Sequence, residues 1–361
     1  MKHVRLSIIG FGVVGQGLAE LLSTKRDALR QQFDLDVTLI SVATARSGFI
    51  YREDGLDIRT LLELAAAQRS LTTHPGIVRW EHTLEGLRAT GGDVLAEATP
   101  TNLRDAEPAM SHMRTALSLG MHVVTANKGP AALAASELLA LARQHGVQLR
   151  MESTVMAGTP VISTIREGMA GANVQALRGI LNGTTNYILS AMATGRDYAE
   201  VLAEAQAQGY AETDPTADVE GYDALAKTLI LSALVFSRSL KPEQVARQGI
   251  TAVTREQVQQ AIDQQRRIKL VASLRLLAGN DGKEPVLEAR VEPLALPLTD
   301  PLAHVDGVMN ALTIHTDTLS EVTIVGPGAG RLQTGQGLLA DIIACAQFPA
   351  IYQNQQNQRN Q

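Results

Sequence analysis

The sequence predicts an α/β fold: a doubly wound parallel sheet followed by a second, α+β domain. Three observations predict it. Short β-rich runs alternate with helical patterns in the first part of the chain, a glycine-rich turn follows the first run, and the rhythm changes beyond about residue 155. The 361 residues suit about two domains at roughly 100–200 residues each.

The candidate strands of the first part are residues 4–9, 37–43, 77–80, 93–98, 122–125 and 148–152. Apolar runs such as Leu6-Ser7-Ile8-Ile9 fit a sheet covered on both faces. Helical patterns at 14–32, 58–69, 106–119 and 131–145 supply the covering layers. Later, helical patterns dominate at 161–192, 198–208 and 221–237, and extended segments follow at 269–277, 287–292, 310–315 and 321–325. Residues 333–346 read as a helix, and the Gln/Asn-rich 353–361 as a frayed terminus.

Composition excludes several classes. With 45% hydrophobic and 19% charged residues the chain can offset its ordering entropy, so it is not disordered. A net charge of −5 and the lack of a Lys/Arg run argue against nucleic acid as partner, and 3% aromatics leave little for base stacking. Cys345, the single cysteine, cannot form an intrachain disulfide and fits a reducing compartment. The apolar start is too short for a signal peptide, and the longest aliphatic run, 229–236, is far below the roughly 20 residues that span a bilayer. A cytoplasmic protein with no membrane partner is expected.

Gly10-Phe11-Gly12-Val13-Val14-Gly15 is a G-x-G-x-x-G between an apolar strand and an amphipathic helix. In that context Gly10 permits the tight turn, Gly12 lets a pyrophosphate approach the backbone, and Gly15 lets helix and strand touch. The helix N-terminus then offers N–H groups to phosphate. Rossmann-like dinucleotide binding follows. Asp34 and Asp36 precede the second strand and would sit at its wrong end for the ribose, whereas Thr44-Ala45-Arg46-Ser47 follows it. Arg46 suits a 2′-phosphate, so NADP is expected to be preferred, with NAD possible.

Two further features carry chemistry. Ala126-Asn127-Lys128-Gly129-Pro130 lies at the carboxyl end of a predicted strand, where open α/β sheets bind ligands. From spacing alone, Lys128 is either a ligand group or a solvated loop lysine. Glu212, Asp214, Asp218, Glu220 and Asp223 precede Lys227, with no other base between them. Asp223 and Lys227 are at i and i+4 on an apolar helix. They read either as an ordinary helix ion pair or as an acid–base site, because a lysine near apolar surface can have a lowered pKa. Hydride transfer to a carbonyl needs a proton for the oxygen, and carboxylates can hold a substrate ammonium. A small amino-acid aldehyde or alcohol is therefore the expected substrate.

The chain resembles homoserine dehydrogenase along almost its whole length. The matching segments are 10–15, Ala126-Asn127-Lys128, Gly179-Ile180-Leu181-Asn182-Gly183-Thr184-Thr185-Asn186-Tyr187-Ile188, 209–215, 221–227 and 321–330. The resemblance implies reduction of L-aspartate 4-semialdehyde to L-homoserine with NAD(P)H, on the route to threonine and methionine. It implies Lys227 as proton donor and Lys128 as a second lysine near nicotinamide and substrate. Glu212, Asp218 and Asp223 would be the pocket carboxylates, with Gly209, Gly183 and Thr184 lining the pocket. Phe11, Val13, Val14 and Thr99 would contact the nucleotide, as would Gly328 in the 326–330 turn. Glu152, Val155, Ala157 and Thr159 would hold a monovalent cation such as sodium.

The implied domains are a dinucleotide-binding domain over 1–150, rejoined by 326–361, and a catalytic and dimerisation domain over 151–325. A homodimer or higher homo-oligomer is implied. The length leaves no room for the kinase or regulatory modules of some relatives, so threonine feedback through such a module is not expected. His304, His315 and Cys345 are assigned to structure. Two alternatives stay open: a dehydrogenase of another small amino-acid aldehyde or alcohol, and a non-catalytic dinucleotide sensor, which would need a partner-binding module that is not visible.

Overall fold

The computed structural model describes residues 1–278 and 284–348. The Gln/Asn-rich 353–361 segment lies outside the described residues. The chain forms two units, Met1–Gly158 joined by the segment that returns at Gly330, and Thr159–Ala329.

The first unit is built on strands β1 (Lys2–Ile9), β2 (Leu35–Thr44), β3 (Gly48–Tyr51), β4 (Val78–Trp80), β5 (Val94–Glu97), β6 (His122–Thr125) and β7 (Leu149–Arg150). Their order in the sheet is β4-β3-β2-β1-β5-β6-β7. The chain runs outward from β1 to β4, then crosses back to β5 on the other side of β1. That reversal is the point at which doubly wound sheets bind ligands, outside the carboxyl ends of their strands. Leu6 and Ile8 are fully buried, and Ser7 is accommodated by a hydrogen bond from the Ser41 hydroxyl (2.7 Å).

Helices α1 (Val13–Thr24), α2 (Arg26–Phe33), α3 (Ile58–Ala66), α4 (Thr83–Thr90), α5 (Ala109–Ser118) and α6 (Lys128–Gln144) cover this sheet, and the short α7 (Ser153–Met156) packs on α6. The sheet is not wholly parallel: β3 pairs antiparallel with β2, and β4 with β3. The expected helix over 14–32 is two helices that meet at Lys25, where the Thr24 hydroxyl bonds back to the Glu20 carbonyl (2.9 Å). The expected strand over 148–152 keeps only Leu149–Arg150, because Glu152 already caps α7.

The second unit holds β8 (Val174–Ile180), β9 (Ala246–Arg247), β10 (Arg266–Leu277), β11 (Val286–Pro297), β12 (Met309–Thr316) and β13 (Ser320–Pro327). The six strands are ordered β13-β12-β8-β10-β11-β9. Its helices are α8 (Gly183–Met192), α9 (Tyr198–Ala207), α10 (Thr216–Val219), α11 (Tyr222–Phe236) and α12 (Arg255–Asp263). The helical pattern read over 161–192 is corrected here: a π-turn at Thr164–Gly168 leads into β8, and only Gly183–Met192 is an α-helix. Gln175, Ala176, Leu177 and Arg178 favour helix locally, yet β8 is central, pairing antiparallel with β10 and with β12. Tertiary pairing overrides local propensity.

Helix α13 (Arg331–Gln347) returns to the first unit against α1. Glycine makes that contact possible, since a Cβ on Gly17 would lie 2.2 Å from the Arg331 carbonyl oxygen and one on Gly335 2.8 Å from the Gly17 backbone. Buried Asp341 on α13 accepts the Glu152 N–H (2.9 Å), and Ser153 donates to the Thr334 carbonyl (2.9 Å). Cys345 is buried in the same helix. Among the described residues no helix is long and apolar enough to cross a membrane.

Candidate active site

In the first unit the carboxyl edge of the parallel strands gathers the sequence-predicted nucleotide residues other than Gly328, which belongs to the second unit. Gly10 follows β1 at φ +95°, and its N–H bonds the Ala43 carbonyl at the end of β2 (2.9 Å). A Cβ on Gly10 would lie 2.4 Å from the Ala98 backbone, and one on Gly15 only 2.1 Å from the Gly10 carbonyl. Both positions are therefore closed to any side chain. At Gly12 nothing lies within 4 Å of such an atom, and no side chain caps α1. Open space before an uncapped helix N-terminus fits a pyrophosphate. Val13 is largely exposed there, whereas the Phe11 ring belongs to the core of this unit. Any nucleotide contact of Phe11 is thus a backbone contact.

Arg46 is exposed in the turn between β2 and β3, a turn without a carboxylate. Asp36, by contrast, is buried near the start of β2 and held by Arg30 (3.0 Å) and Arg26 (3.3 Å). The Arg30 bond keeps its carboxyl below the usual carboxylate range. It is committed to structure.

The next two strand ends are joined by one network. Glu97, fully buried at the end of β5, accepts from the Thr99 N–H and hydroxyl. Asn127 donates to the Thr99 carbonyl (3.1 Å) and hydroxyl (3.2 Å), while its own oxygen accepts the Gly129 N–H (2.9 Å) and so caps α6. Lys128 is thereby the first residue of α6, half-buried, at the carboxyl end of β6.

The second unit builds a polar cluster where β8, α8, α10 and α11 meet. Ala224, Ala226, Leu229 and Ile230 bury α11, and they bury Lys227 with it, 6% exposed. The Lys227 Nζ donates to the Leu181 carbonyl (2.5 Å) and pairs with Asp223 Oδ2 (2.8 Å). Asn182 Nδ2 donates to Asp218 Oδ1 (2.7 Å) and to Asp223 Oδ2 (3.1 Å). Burial pushes the Asp218 carboxyl up and the neighbouring Asp223 charge adds to this, while the Asn182 bond, Thr184 and Lys227 oppose it. An ammonium, two carboxylates and a bridging amide thus share a largely desolvated corner.

Sequence spacing sets Asp223 on the Lys227 face of the helix and does not distinguish the other four acidic residues. Asp218 and Asp223 converge on Lys227. Asp214 instead binds the Thr216 N–H (3.1 Å) and hydroxyl (2.6 Å), and Glu220 accepts from Thr251 (2.8 Å). Glu212 is exposed on the loop after Gly209. The Thr184 hydroxyl ties α8 to that loop through the Tyr210 carbonyl (2.6 Å). A Cβ on Gly183 would lie 2.7 Å from the Val308 carbonyl, so α8 begins in close contact. Asn182 and Asn127 were not singled out as site residues. Their signal is an asparagine at a strand-to-helix junction with a glycine one or two residues on.

Gly328 follows β13 and packs on Asn310, at 2.1 Å from a virtual Cβ. Glu152 is buried at the start of α7, with Val155 buried within it and Ala157 at φ +51° after it; these belong to the first unit. Thr159 opens the second unit, its hydroxyl on the Pro327 carbonyl (3.0 Å). Among the described residues no group of three or more His, Cys, Asp or Glu could hold a metal. His304 bonds the Leu298 carbonyl (2.7 Å) and His315 pairs with Glu321 (3.1 Å), both local contacts.

A family model described as homoserine dehydrogenase matches residues 160–343, and one described as homoserine dehydrogenase, NAD binding domain, matches residues 10–152. The chain belongs to the homoserine dehydrogenase family. It is 38% identical over 343 residues to the NAD(+)-dependent homoserine dehydrogenase of Pseudomonas canavaninivorans, covering 95% of this chain and 96% of that one. It is 36% identical to the homoserine dehydrogenase of Methanocaldococcus jannaschii, over 93% of this chain and 96% of that one. Among solved structures, a hyperthermophilic archaeal homoserine dehydrogenase in complex with NADPH superposes with a TM-score of 0.81 at 30% identity, covering 96% of this chain and 99% of that chain. A homoserine dehydrogenase is a nicotinamide-dependent oxidoreductase of a small amino-acid substrate, which is what the glycine turn and the acidic stretch imply.

Proposed function

We propose that the chain reduces L-aspartate 4-semialdehyde to L-homoserine, reversibly, with NADPH preferred over NADH and Lys227 as proton donor. The observation that carries this reading is the buried Lys227 ammonium, fixed between Asp223 and the Leu181 carbonyl. Bound NAD(P)H supplies the hydride. As hydride reaches the aldehyde carbon, charge develops on the oxygen, and Lys227 Nζ gives it a proton and becomes a neutral amine. Asp218 and Asp223 hold the substrate ammonium, joined by Glu212 from the exposed loop, with Gly183, Thr184 and Gly209 forming the wall. Lys128 is the second lysine, at the nicotinamide end of the nucleotide site. The assay is NADPH consumption with aspartate semialdehyde by the purified protein. No consumption by protein that binds NADPH would leave only the sensor reading.

The cofactor preference rests on Arg46. Its guanidinium, in a turn with no carboxylate, suits a 2′-phosphate. Arg46→Ala is expected to lower kcat/KM for NADPH about tenfold or more, as loss of a charged hydrogen bond does, and to leave the value for NADH unchanged. Equal, unaltered use of both cofactors by the variant would contradict the assignment.

Gly10, Gly12, Gly15, Val13, Val14, Thr99 and Gly328 complete the nucleotide site. The first unit and its return segment serve the cofactor; the second serves catalysis and dimerisation in a cytoplasmic homo-oligomer. Glu152, Val155, Ala157 and Thr159 are assigned to a monovalent cation. The chemistry of the set suits such an ion: Glu152 is a buried carboxylate at the start of α7, and the other three residues offer hard backbone or hydroxyl oxygens. Exchange of sodium and potassium for tetramethylammonium is expected to lower the melting temperature and turnover; indifference of both would count against the site.

A further inference from the structure

Asn182 occupies the junction between β8 and α8, extended at φ −134° and ψ 119°. Both ends of its amide are used. The oxygen accepts the Thr185 N–H (2.9 Å) and hydroxyl (3.0 Å), which caps α8. That fixes the orientation of the amide, so the NH2 group must face the opposite way, and there it meets Asp218 Oδ1 (2.7 Å) and Asp223 Oδ2 (3.1 Å). The two carboxylates come from different helices, α10 and α11, and Asp223 forms a salt bridge with Lys227.

Two carboxylates crowded together normally share a proton, because one charge disfavours the other. A cation between them would relieve the repulsion but cancel the charge that attracts a substrate ammonium. An amide does something different: it donates to both and adds no charge. We infer that Asn182 is a positioning residue of the pocket, whose NH2 group holds Asp218 and Asp223 side by side while leaving them anionic toward the substrate ammonium. This deepens the proposed function and rests on its reading of the Asp218–Asp223–Lys227 cluster as the substrate pocket. The groups that face Asp218 are Asp223, Lys227, Asn182 and Thr184. Of these, Asn182 donates to both carboxylates, and it does so from the residue next to the Lys227 acceptor, Leu181.

The test separates the cap from the bridge. Asn182→Asp and Asn182→Ser both keep an oxygen that caps a helix well, and both lose the NH2 donor. In Asn182→Asp an oxygen replaces the donor beside Asp218, so the pair must trap a proton. The acid limb of the kcat/KM profile for aspartate semialdehyde should move up by at least about one pH unit. Asn182→Ser should raise KM for the semialdehyde about tenfold or more with little change in KM for NADPH. Both variants should still fold and melt cooperatively, at a lower temperature than the parent because the donor to two buried carboxylates is gone. A wild-type acid limb together with a wild-type KM would overturn the inference, as would failure of both variants to fold, which would make Asn182 a residue of the fold alone. Absence of semialdehyde reduction by the parent protein would instead strike the proposed function itself, so the two failures are distinct.

Discussion

Replacing Lys227 with alanine is expected to lower turnover with aspartate semialdehyde at least about a hundredfold, the lower range for loss of a general acid. NADPH binding should survive, because Lys227 is not among the residues assigned to the nucleotide. The alanine variant also removes one partner of a buried ion pair, which costs about 3–5 kcal/mol in typical cases. Lys227→Met keeps the apolar stem among the α11 neighbours, so it removes the packing loss from the comparison while still losing the ammonium and its ion pair with Asp223. A folded methionine variant with turnover near that of the parent would remove Lys227 from the chemistry.

The second large effect concerns Asp218. Burial raises its carboxyl above the ordinary value, and the Asp223 charge contributes in the same direction. A carboxyl whose pKa is higher in the fold than in the unfolded chain stabilises the fold when protonated; that contribution is present at low pH and lost as pH rises through the raised value. Above that raised value the ionised Asp218 therefore lowers stability compared with a neutral side chain of the same shape. Asp218→Asn retains an oxygen for the Asn182 donor and carries no charge. Its melting temperature at neutral pH should rise, and the gap from the parent should close as the solution is acidified. KM for the semialdehyde should rise about tenfold or more, since a charged contact to the substrate ammonium is gone. A variant that is less stable at neutral pH, or one with unchanged KM, would contradict this assignment.

The sequence was most legible where chemistry demands a particular residue at a fixed spacing. Gly10 and Gly15 announce the turn because no side chain fits there, and the structure shows why, with backbone within 2.4 and 2.1 Å of the virtual Cβ atoms. The i, i+4 spacing likewise put Asp223 and Lys227 on one face of α11. What stayed hidden depends on contacts between distant segments. The Gln175-Ala176-Leu177-Arg178 run carries no strand signal of its own and becomes β8 only between β10 and β12. Nothing in the 14–32 run, which has no glycine or proline near Lys25, marks the break between the two helices there. Spacing could not show that Asp218 turns towards Lys227 while Asp214 and Glu220 are consumed by Thr216 and Thr251. Asn182 was hidden for a further reason: a cap asparagine is common, and only its second partner set marks it as part of the pocket.

The account depends above all on where the Lys227 proton goes. A crystal of the enzyme soaked with homoserine and NADP addresses this directly by the distance between Lys227 Nζ and the substrate hydroxyl. Hydrogen-bond contact is expected, at about 2.6–3.2 Å, with the substrate ammonium on Asp218 and Asp223. A homoserine bound elsewhere, or bound with its hydroxyl turned away from Lys227, would contradict it.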